Sequence, residues 1–425
     1  MTVALPVREQ VLQEIQAQGR ITFARFMELA LFSSAGGYYT TRQRTGAEGD
    51  YFTSPEAHPL FGALLALQLE QMWDHLGRPV PFTVVEAGAG NGLLARDIVS
   101  AALRSPDFHR ALRYMAVEQR PGALLSSAHA LGAQKVTSAG LPLRRVVGCI
   151  LSNELLDAFP VHRFVVRQGA FQEVYVTLDG EGNLESVVAE PSTPQLQQRL
   201  EGLGVRLEEG LAGEVSLQLG SWAGEAAQAL ERGFILTVDY GDLAHALYSR
   251  QRTQGTLRSY YLHTRSPSPY LHVGQQDMTT DVDFTTLMRE GERRGLTPLG
   301  FTTQREFLLN LGLGALLEAL AASGRPQQER LAHQMAMRQL VEPGGLGNHR
   351  VLVQGKGVGQ PPLYGLGPDA SLGHRLEAYF GKGELPPLTS EHIHLLQGTY
   401  PHMAQEIPSW EELWGSDEEA APGQG

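Results

Sequence analysis

Cysteine is almost absent. The single thiol, Cys149, excludes an internal disulfide framework and a thiolate zinc cluster. Its setting in the apolar run VVGCIL reads as a buried, inert side chain. Long apolar runs are missing as well. The longest, Leu60 to Leu69, is interrupted by Gln68 and closed by Glu70, too short to span a bilayer, so no membrane insertion is expected. Basic residues are in deficit, 34 Lys and Arg against 46 Asp and Glu, for a formal charge of -12. Phosphate neutralisation needs the opposite balance, which argues against a nucleic-acid binder and for a partner carrying positive charge. The opening MTVALPVREQ has no basic flank followed by an apolar core, and nothing Arg- and Ser-rich enough for a transit peptide, so a cytoplasmic protein is expected. The hydrolase motifs HExxH and GxSxG do not occur. His392 and His394 in EHIH lack a third ligand at metal spacing; they read as surface residues, and no metal is expected.

What is present is an ordinary globular composition, 42% hydrophobic and 19% charged over 425 residues, enough for two or three domains or one large domain with insertions. Residues 7 to 32 carry a helical pattern, with Val11, Leu12 and Ile15 on one face and Phe23, Phe26, Met27 and Ala30 on another. A second helix, from about Pro59 to Gly77, places Phe61, Leu65, Leu69, Met72 and Leu76 on one stripe. From PFTVVEAG onward strands and helices alternate. FTVVE, RYMAVEQ, VVGCILSNE and GFILTVDYG are near-continuously apolar, which suits parallel strands covered on both faces. Between the third and fourth strands, HRFVVRQGAFQEVYVTLDGEGNLESVVAE alternates apolar and polar residues around Gln168-Gly169 and Asp179-Gly180. It predicts an inserted antiparallel meander, followed by a helix to about Arg232. A second interruption runs from Asp242 to Asp283. LTPLGFTT and HRVLVQGKG are candidates for a closing antiparallel pair, and the end, GSDEEAAPGQG, is expected to be disordered.

The chemistry starts at VVEAGAGNG. Gly88, Gly90 and Gly92 alternate directly after a strand and before a helix, with Glu86 two residues upstream. A dinucleotide fingerprint needs Gly-x-Gly-x-x-Gly, and position 93 is Leu. The acid-x-Gly-x-Gly-x-Gly spacing resembles the first motif of class I S-adenosylmethionine (SAM) methyltransferases. SAM carries a sulfonium and an ammonium and no pyrophosphate, so a carboxylate beside the loop helps, where it would repel a pyrophosphate. Glu118 ends the next strand, where an acid can accept hydrogen bonds from both ribose hydroxyls.

FMELALFSSAGGYYTT, GAEGDYFTSPE, EAGAGNGLLARDI, LSNELLDAFPVHRF, VDYG, GTLRSYYLH, GQQDMTTDVDF and EPGGLGNHRVLVQGKG follow in that order over roughly residues 7 to 357. The chain thereby resembles the MidA-like family, SAM-dependent methyltransferases related to a mitochondrial complex I assembly factor that methylates a protein arginine. It departs from the family at Ser33 and Ser34, where Pro is usual, and at Ala87 and Ala89, where Leu and Pro are favoured; neither change removes a polar group.

The resemblance implies an α/β fold: a class I methyltransferase, Rossmann-like doubly wound sheet with a helical N-terminal region and two insertions. Expected units are a helical cap over residues 1–80, a SAM-binding core over 81–158 and 232–357, an inserted meander and helix on the substrate side over 159–231, and a C-terminal extension over 358–425. Asn153, Glu154 and Asp157 follow the third core strand, at the end where ligands of doubly wound sheets sit. Glu154 and Asp157 share a face if a helical turn starts at Asn153, and fork-like carboxylates suit a guanidinium. The same residues also serve a plain helix start, with Asn153 as cap and the acids in its first turn. Thr53, Ser54, Pro55 and Glu56 have two readings as well. They fit a helix start capped by Ser54, and by resemblance the segment from Tyr51 closes over the cofactor. Arg258, His263, Asp277 and Asp281 are unusually polar for a core-packing insert, and are either substrate-side groups or a loop tied down by its own hydrogen bonds. The expected activity is methylation of a protein substrate, an arginine in a basic segment by resemblance. The alternatives are a non-catalytic assembly factor and a nicotinamide oxidoreductase.

Overall fold

The computed structural model describes residues 5–41, 53–120, 132–249, 252–262, 264–381, 384–389 and 391–392. The tail expected to be disordered, His263 and His394 lie outside these. The N-terminal helical signal breaks at Gly19. Helix α1 (Val7–Gln18) buries Val7, Val11 and Ile15, and Gly19 closes it at φ 78°. A two-residue strand, β1 (Ile21–Thr22), follows, and the Thr22 side chain caps α2 (Phe23–Phe32). After the short helices α3 (Tyr38–Thr41) and α4 (Ser54–Ala57) comes α5 (Leu60–His75).

Helix α5 is buried from Leu60 through Trp73, all round and not along one stripe. Its polar residues are matched from above by the C-terminal extension. Gln68 accepts from Gly365 N–H at 2.9 Å, Gln71 from Tyr364 N–H at 2.7 Å, and Glu70 pairs with Arg375.

The core then runs β2 (Phe82–Ala87), α6 (Leu93–Ala102), α7 (Pro106–Ala111), β3 (Leu112–Glu118), β4 (Gln134–Thr137) and β5 (Val146–Asn153). The inserted segment contributes β6 (His162–Arg167), β7 (Ala170–Leu178), β8 (Leu184–Ala189), α8 (Gln195–Gly202), β9 (Ala212–Val215) and α9 (Gln218–Ala229) before β10 (Leu230–Asp239). The second interruption holds β11 (Gly241–Asp242), α10 (Ala244–Leu247), β12 (Arg258–Tyr261), β13 (Thr264–Arg265), β14 (Asp277–Thr279) and β15 (Val282–Asp283). The chain closes with α11 (Phe284–Glu292), β16 (Thr297–Thr303), α12 (Gln304–Asn310), α13 (Leu313–Ala321), α14 (Gln327–Gln339), β17 (Arg350–Lys356) and α15 (Leu372–Phe380).

The seven-stranded sheet has the order β16-β17-β10-β5-β2-β3-β4. All strands run parallel except β17, which is antiparallel to both β10 and β16. The expected closing pair is therefore present, with α12 to α14 between its strands. Apolar clusters cover both faces, one built on α5 and α6, the other on α9 and α11. The chain leaves β2 towards β3 and β4 and returns on the other side as β5, so the switch point opens between the carboxyl ends of β2 and β5.

A second sheet joins β7, β6, β9 and β8 with β1 of the N-terminal region. Gln168 and Gly169, both at positive φ (54° and 71°), make the β6–β7 turn. The single helix expected before Arg232 is two helices flanking β9, since Gly204 and Gly210 interrupt it at positive φ. Among the described residues no helix is long and apolar enough to cross a membrane.

Candidate active site

A cavity of about 650 Å³ opens at the switch point, within the range of small-molecule sites. Gly88, Gly90 and Gly92 lie at φ 68°, 54° and 81°, left-handed values that residues with a Cβ rarely adopt. A Cβ on Gly88 would come 2.7 Å from Leu155 Cδ1, whereas one on Gly90 would meet nothing within 4 Å. The loop is thus bare where it faces the cavity, and Gly92 starts α6. Gly88 and Gly90 line the cavity; Gly92 does not.

Two carboxylates flank this loop. Glu118 Oε2 accepts from Gly90 N–H at 3.0 Å, and its Oε1 accepts from Arg120 N–H at 3.0 Å. Glu86, at the end of β2, is 3% exposed and receives one side-chain hydrogen bond, from Tyr114 Oη at 2.9 Å. Burial pushes its carboxyl up to about 8, and the nearby Glu118 charge adds to that. A buried acid so placed, beside a glycine cradle with open space, fits a ligand that brings positive charge.

At the other side of the loop, no helical turn starts at Asn153. Asn153 ends β5, and Glu154 takes φ 49° with its N–H donating to Val238 O at 2.9 Å. Asp239 at the end of β10 decides the path that follows: its Oδ2 accepts from Leu155 N–H at 3.1 Å and Leu156 N–H at 2.8 Å. Glu154 is thereby turned to the cavity, with Oε1 accepting from Ser54 N–H at 3.2 Å and from the Asn153 amide at 3.1 Å. Its Oε2 is buried without a partner. Burial pushes Glu154 up to about 8, and the Asp157 charge adds to it. Asp157 sits behind the cavity wall, held well above the usual carboxylate range by burial and then by Asp239 and Asp277. Asp239 itself is pushed up to about 8 by burial. A non-glycine residue in the left-handed region is a strained feature of the kind that collects at functional sites.

Helix α4 begins one residue earlier than Ser54 capping would have it. Thr53 is the cap, with its N–H donating to Glu56 Oε2 at 2.9 Å, and Ser54 is the first helical residue. Thr53, Pro55 and Glu56 line the cavity, while Ser54 is fully buried and donates its hydroxyl to Gln304 at 3.0 Å. Tyr51 lies outside the described residues.

In the second interruption, Asp281 pairs with both Arg258 and Arg252 at 2.6 Å. Asp277 accepts from Tyr39 Oη at 2.7 Å, and Tyr39 is a lining residue. Arg258, Asp277 and Asp281 themselves do not line the cavity. Phe32 and Tyr39 line the cavity from within FMELALFSSAGGYYTT, while Ser138, Gly140, Trp222 and Glu225 are among the lining residues that no motif marked. A helix was expected ahead of Arg232, but nothing local showed which side of it meets a ligand. His392 is not a surface residue. It is 2% exposed and bonds Asp97 at 3.0 Å beside Arg96, on α6. Cys149 is buried, as its apolar setting predicts, and burial pushes its thiol up.

A profile of S-adenosyl-L-methionine-dependent methyltransferases matches residues 64–302. The chain belongs to this methyltransferase family. The rat protein arginine methyltransferase NDUFAF7 is 30% identical to this methyltransferase over 352 residues, 74% of this chain and 76% of the relative. The Drosophila melanogaster homologue is 29% identical over 375 residues, 80% and 82% of the two chains. A crystal structure from Burkholderia thailandensis, bound to S-adenosyl-homocysteine, matches with a TM-score of 0.74 at 28% identity, covering 86% of this chain and 97% of that one. SAM is the methyl donor of the family, and the nicotinamide alternative is set aside. The cytoplasmic expectation is corrected by the same comparison, since these arginine methyltransferase relatives are named as mitochondrial.

Proposed function

We propose that this methyltransferase modifies arginine side chains of a protein, presented in a basic segment. In this reading Gly88 and Gly90 give the cofactor clearance and Gly92 turns the chain into α6, while Glu86 faces the ammonium and Glu118 takes the ribose hydroxyls. Thr53, Pro55 and Glu56 form the wall above with Ser54 behind it, and Asn153 and Glu154 hold the acceptor with Asp157 behind them. Tyr39, through Asp277, links that end to the second interruption, whose Arg258 and Asp281 tie the loop down.

The observation that carries the reading is the state of Glu154. Its Oε2 is buried and unpartnered, with Asp157 and Asp239 behind it. Arg258, a nearby cation, is already engaged with Asp281. A guanidinium supplies a planar fork of N–H donors together with the missing positive charge. The relatives' names point to the same acceptor.

When bound, SAM supplies a methyl group activated by its sulfonium. The rest is positioning: methyl transfer is an in-line displacement, and its rate follows from holding the acceptor nitrogen on the line of attack. As that nitrogen gains the methyl it loses a proton, and Glu154 Oε2, raised above the ordinary carboxylate range, receives it.

The test is transfer of label from radiolabelled SAM to proteins of a lysate, followed by mass spectrometry of the labelled peptides. Methylated arginine is the expected product. Binding of S-adenosyl-homocysteine with label only on lysine, on a small molecule, or on nothing would overturn the arginine reading.

A further inference from the structure

The cavity has a second end that the acceptor chemistry does not use. It lies beyond Glu118, between the loop after β4 and one face of α9, where Trp222 and Glu225 line it. The loop is fixed to β3 by Ser138 N–H donating to Glu118 O at 3.1 Å. Glu225 is fixed to the loop in turn, its Oε1 accepting from Leu141 N–H at 2.7 Å. The carboxylate lies over Gly140, where a Cβ would come 2.4 Å from Oε1. Oε2 accepts no hydrogen bond from the described residues. A backbone donor has therefore chosen which carboxylate oxygen is spent and which is left for a ligand.

We propose that Glu225 is the residue that selects adenine, accepting a hydrogen bond from the base's 6-amino group at Oε2. The proposal rests on the cofactor orientation given above. With the methyl group towards Glu154 and the ribose on Glu118, the base extends past Glu118 to Ser138, Trp222 and Glu225. Trp222 supplies an apolar wall, and the carboxylate supplies an acceptor that tells an exocyclic amine from a carbonyl. A hypoxanthine base presents O6 at that point, and two acceptors repel.

The test uses the whole protein and two probes, S-adenosylhomocysteine and S-inosylhomocysteine, measured by calorimetry. The wild type should prefer the adenosyl compound by about tenfold or more, the range of a hydrogen bond to a charged group. Glu225→Gln should reverse or erase that preference. Its amide oxygen stays on Leu141 N–H, so the NH₂ group faces the base, donating to O6 and opposing the 6-amino group. Tighter binding of the inosyl compound by the variant cannot come from a damaged fold. A wild-type preference below about threefold, or a variant that weakens both probes equally, overturns the proposal while leaving the SAM site in place. Failure of the wild type to bind S-adenosylhomocysteine overturns both.

Discussion

Cofactor binding should release a proton, and Glu86 should be its source. Burial holds the Glu86 carboxyl at about 8 in the free protein. At pH 7 about nine-tenths of the molecules then carry that proton. A ligand ammonium brought near returns the carboxyl towards its ordinary range, so about 0.9 proton leaves per site filled. Affinity must therefore rise with pH below 8. Ionising Glu86 costs about 1.4 kcal/mol at pH 7, and the dissociation constant should fall about ninefold between pH 6 and pH 7. Titration calorimetry of S-adenosylhomocysteine in buffers of different ionisation enthalpy reads the proton count directly, kept below about pH 7.5 so that the ligand's own amino group stays protonated. Glu86→Gln should flatten the pH dependence and abolish the release. Release that persists undiminished in that variant, or affinity that falls from pH 6 to 7, would refute the assignment of Glu86 to the cofactor's cationic end.

Other consequences follow from the same carboxyls and from the packing around them. Glu154→Gln should cut methyl transfer by about a hundredfold or more while S-adenosylhomocysteine binds within a few-fold of wild type, as initial rates and calorimetry would show. Glu86, Glu154 and Asp239 are all raised to about 8, so the stability they contribute is full below the usual carboxylate range and is lost as pH climbs towards 8. The melting temperature of the ligand-free protein should accordingly fall between about pH 6 and pH 8.5 and recover when the cofactor is added. Arg258→Met leaves Asp281, whose side chain is 7% exposed, with Arg252 alone, and should lower unfolding free energy by about 1–2 kcal/mol in denaturant titrations. Leu65→Ala in the fully buried middle of α5 should cost about 3 kcal/mol by the same measurement.

Features set by near neighbours in the chain were legible in the sequence. Val84 to Gly92 reads as strand, bare loop and helix because each step is a local choice, and the loop appears with all three glycines at positive φ. The Gln168-Gly169 turn is of the same kind, whereas β16 and β17 were each legible as strands and pair across three intervening helices. What was missed depends on partners far along the chain. β4 has one half-buried residue among exposed ones, so no apolar run announces it, yet β3 accepts it as an edge strand. β1 is two residues long and exists because β7 offers it a free edge. The stripe assigned to α5 failed because residues 364 and 365 and Arg375 return to satisfy Gln68, Gln71 and Glu70, which allows polar side chains to be buried. The helical turn expected at Asn153 lost to Asp239, 86 positions on in sequence, whose carboxylate takes the N–H groups of Leu155 and Leu156. His392 sits in a polar stretch, and its place against Asp97 has no local signature.

That last group of misses bears on how the site works. Had Asn153 begun a helix, Glu154 and Asp157 would have stood side by side on its exposed first turn, hydrated and ordinarily ionised. Asp239 instead folds the segment inward, with Glu154 in the left-handed region, half-buried on the cavity wall with its Oε2 buried, and Asp157 buried behind it. Like charges crowded in a low dielectric cannot all ionise, so protons fill the deficit until a cation arrives. Glu86 repeats this arrangement at the other flank of the glycine loop. One cavity thus holds two buried carboxyls short of positive charge, and the reaction proposed for it has two cationic participants. The strain at Glu154 is then the cost of holding an acid with one buried, unpartnered oxygen beside the acceptor nitrogen, where it can hold the guanidinium and also receive its proton.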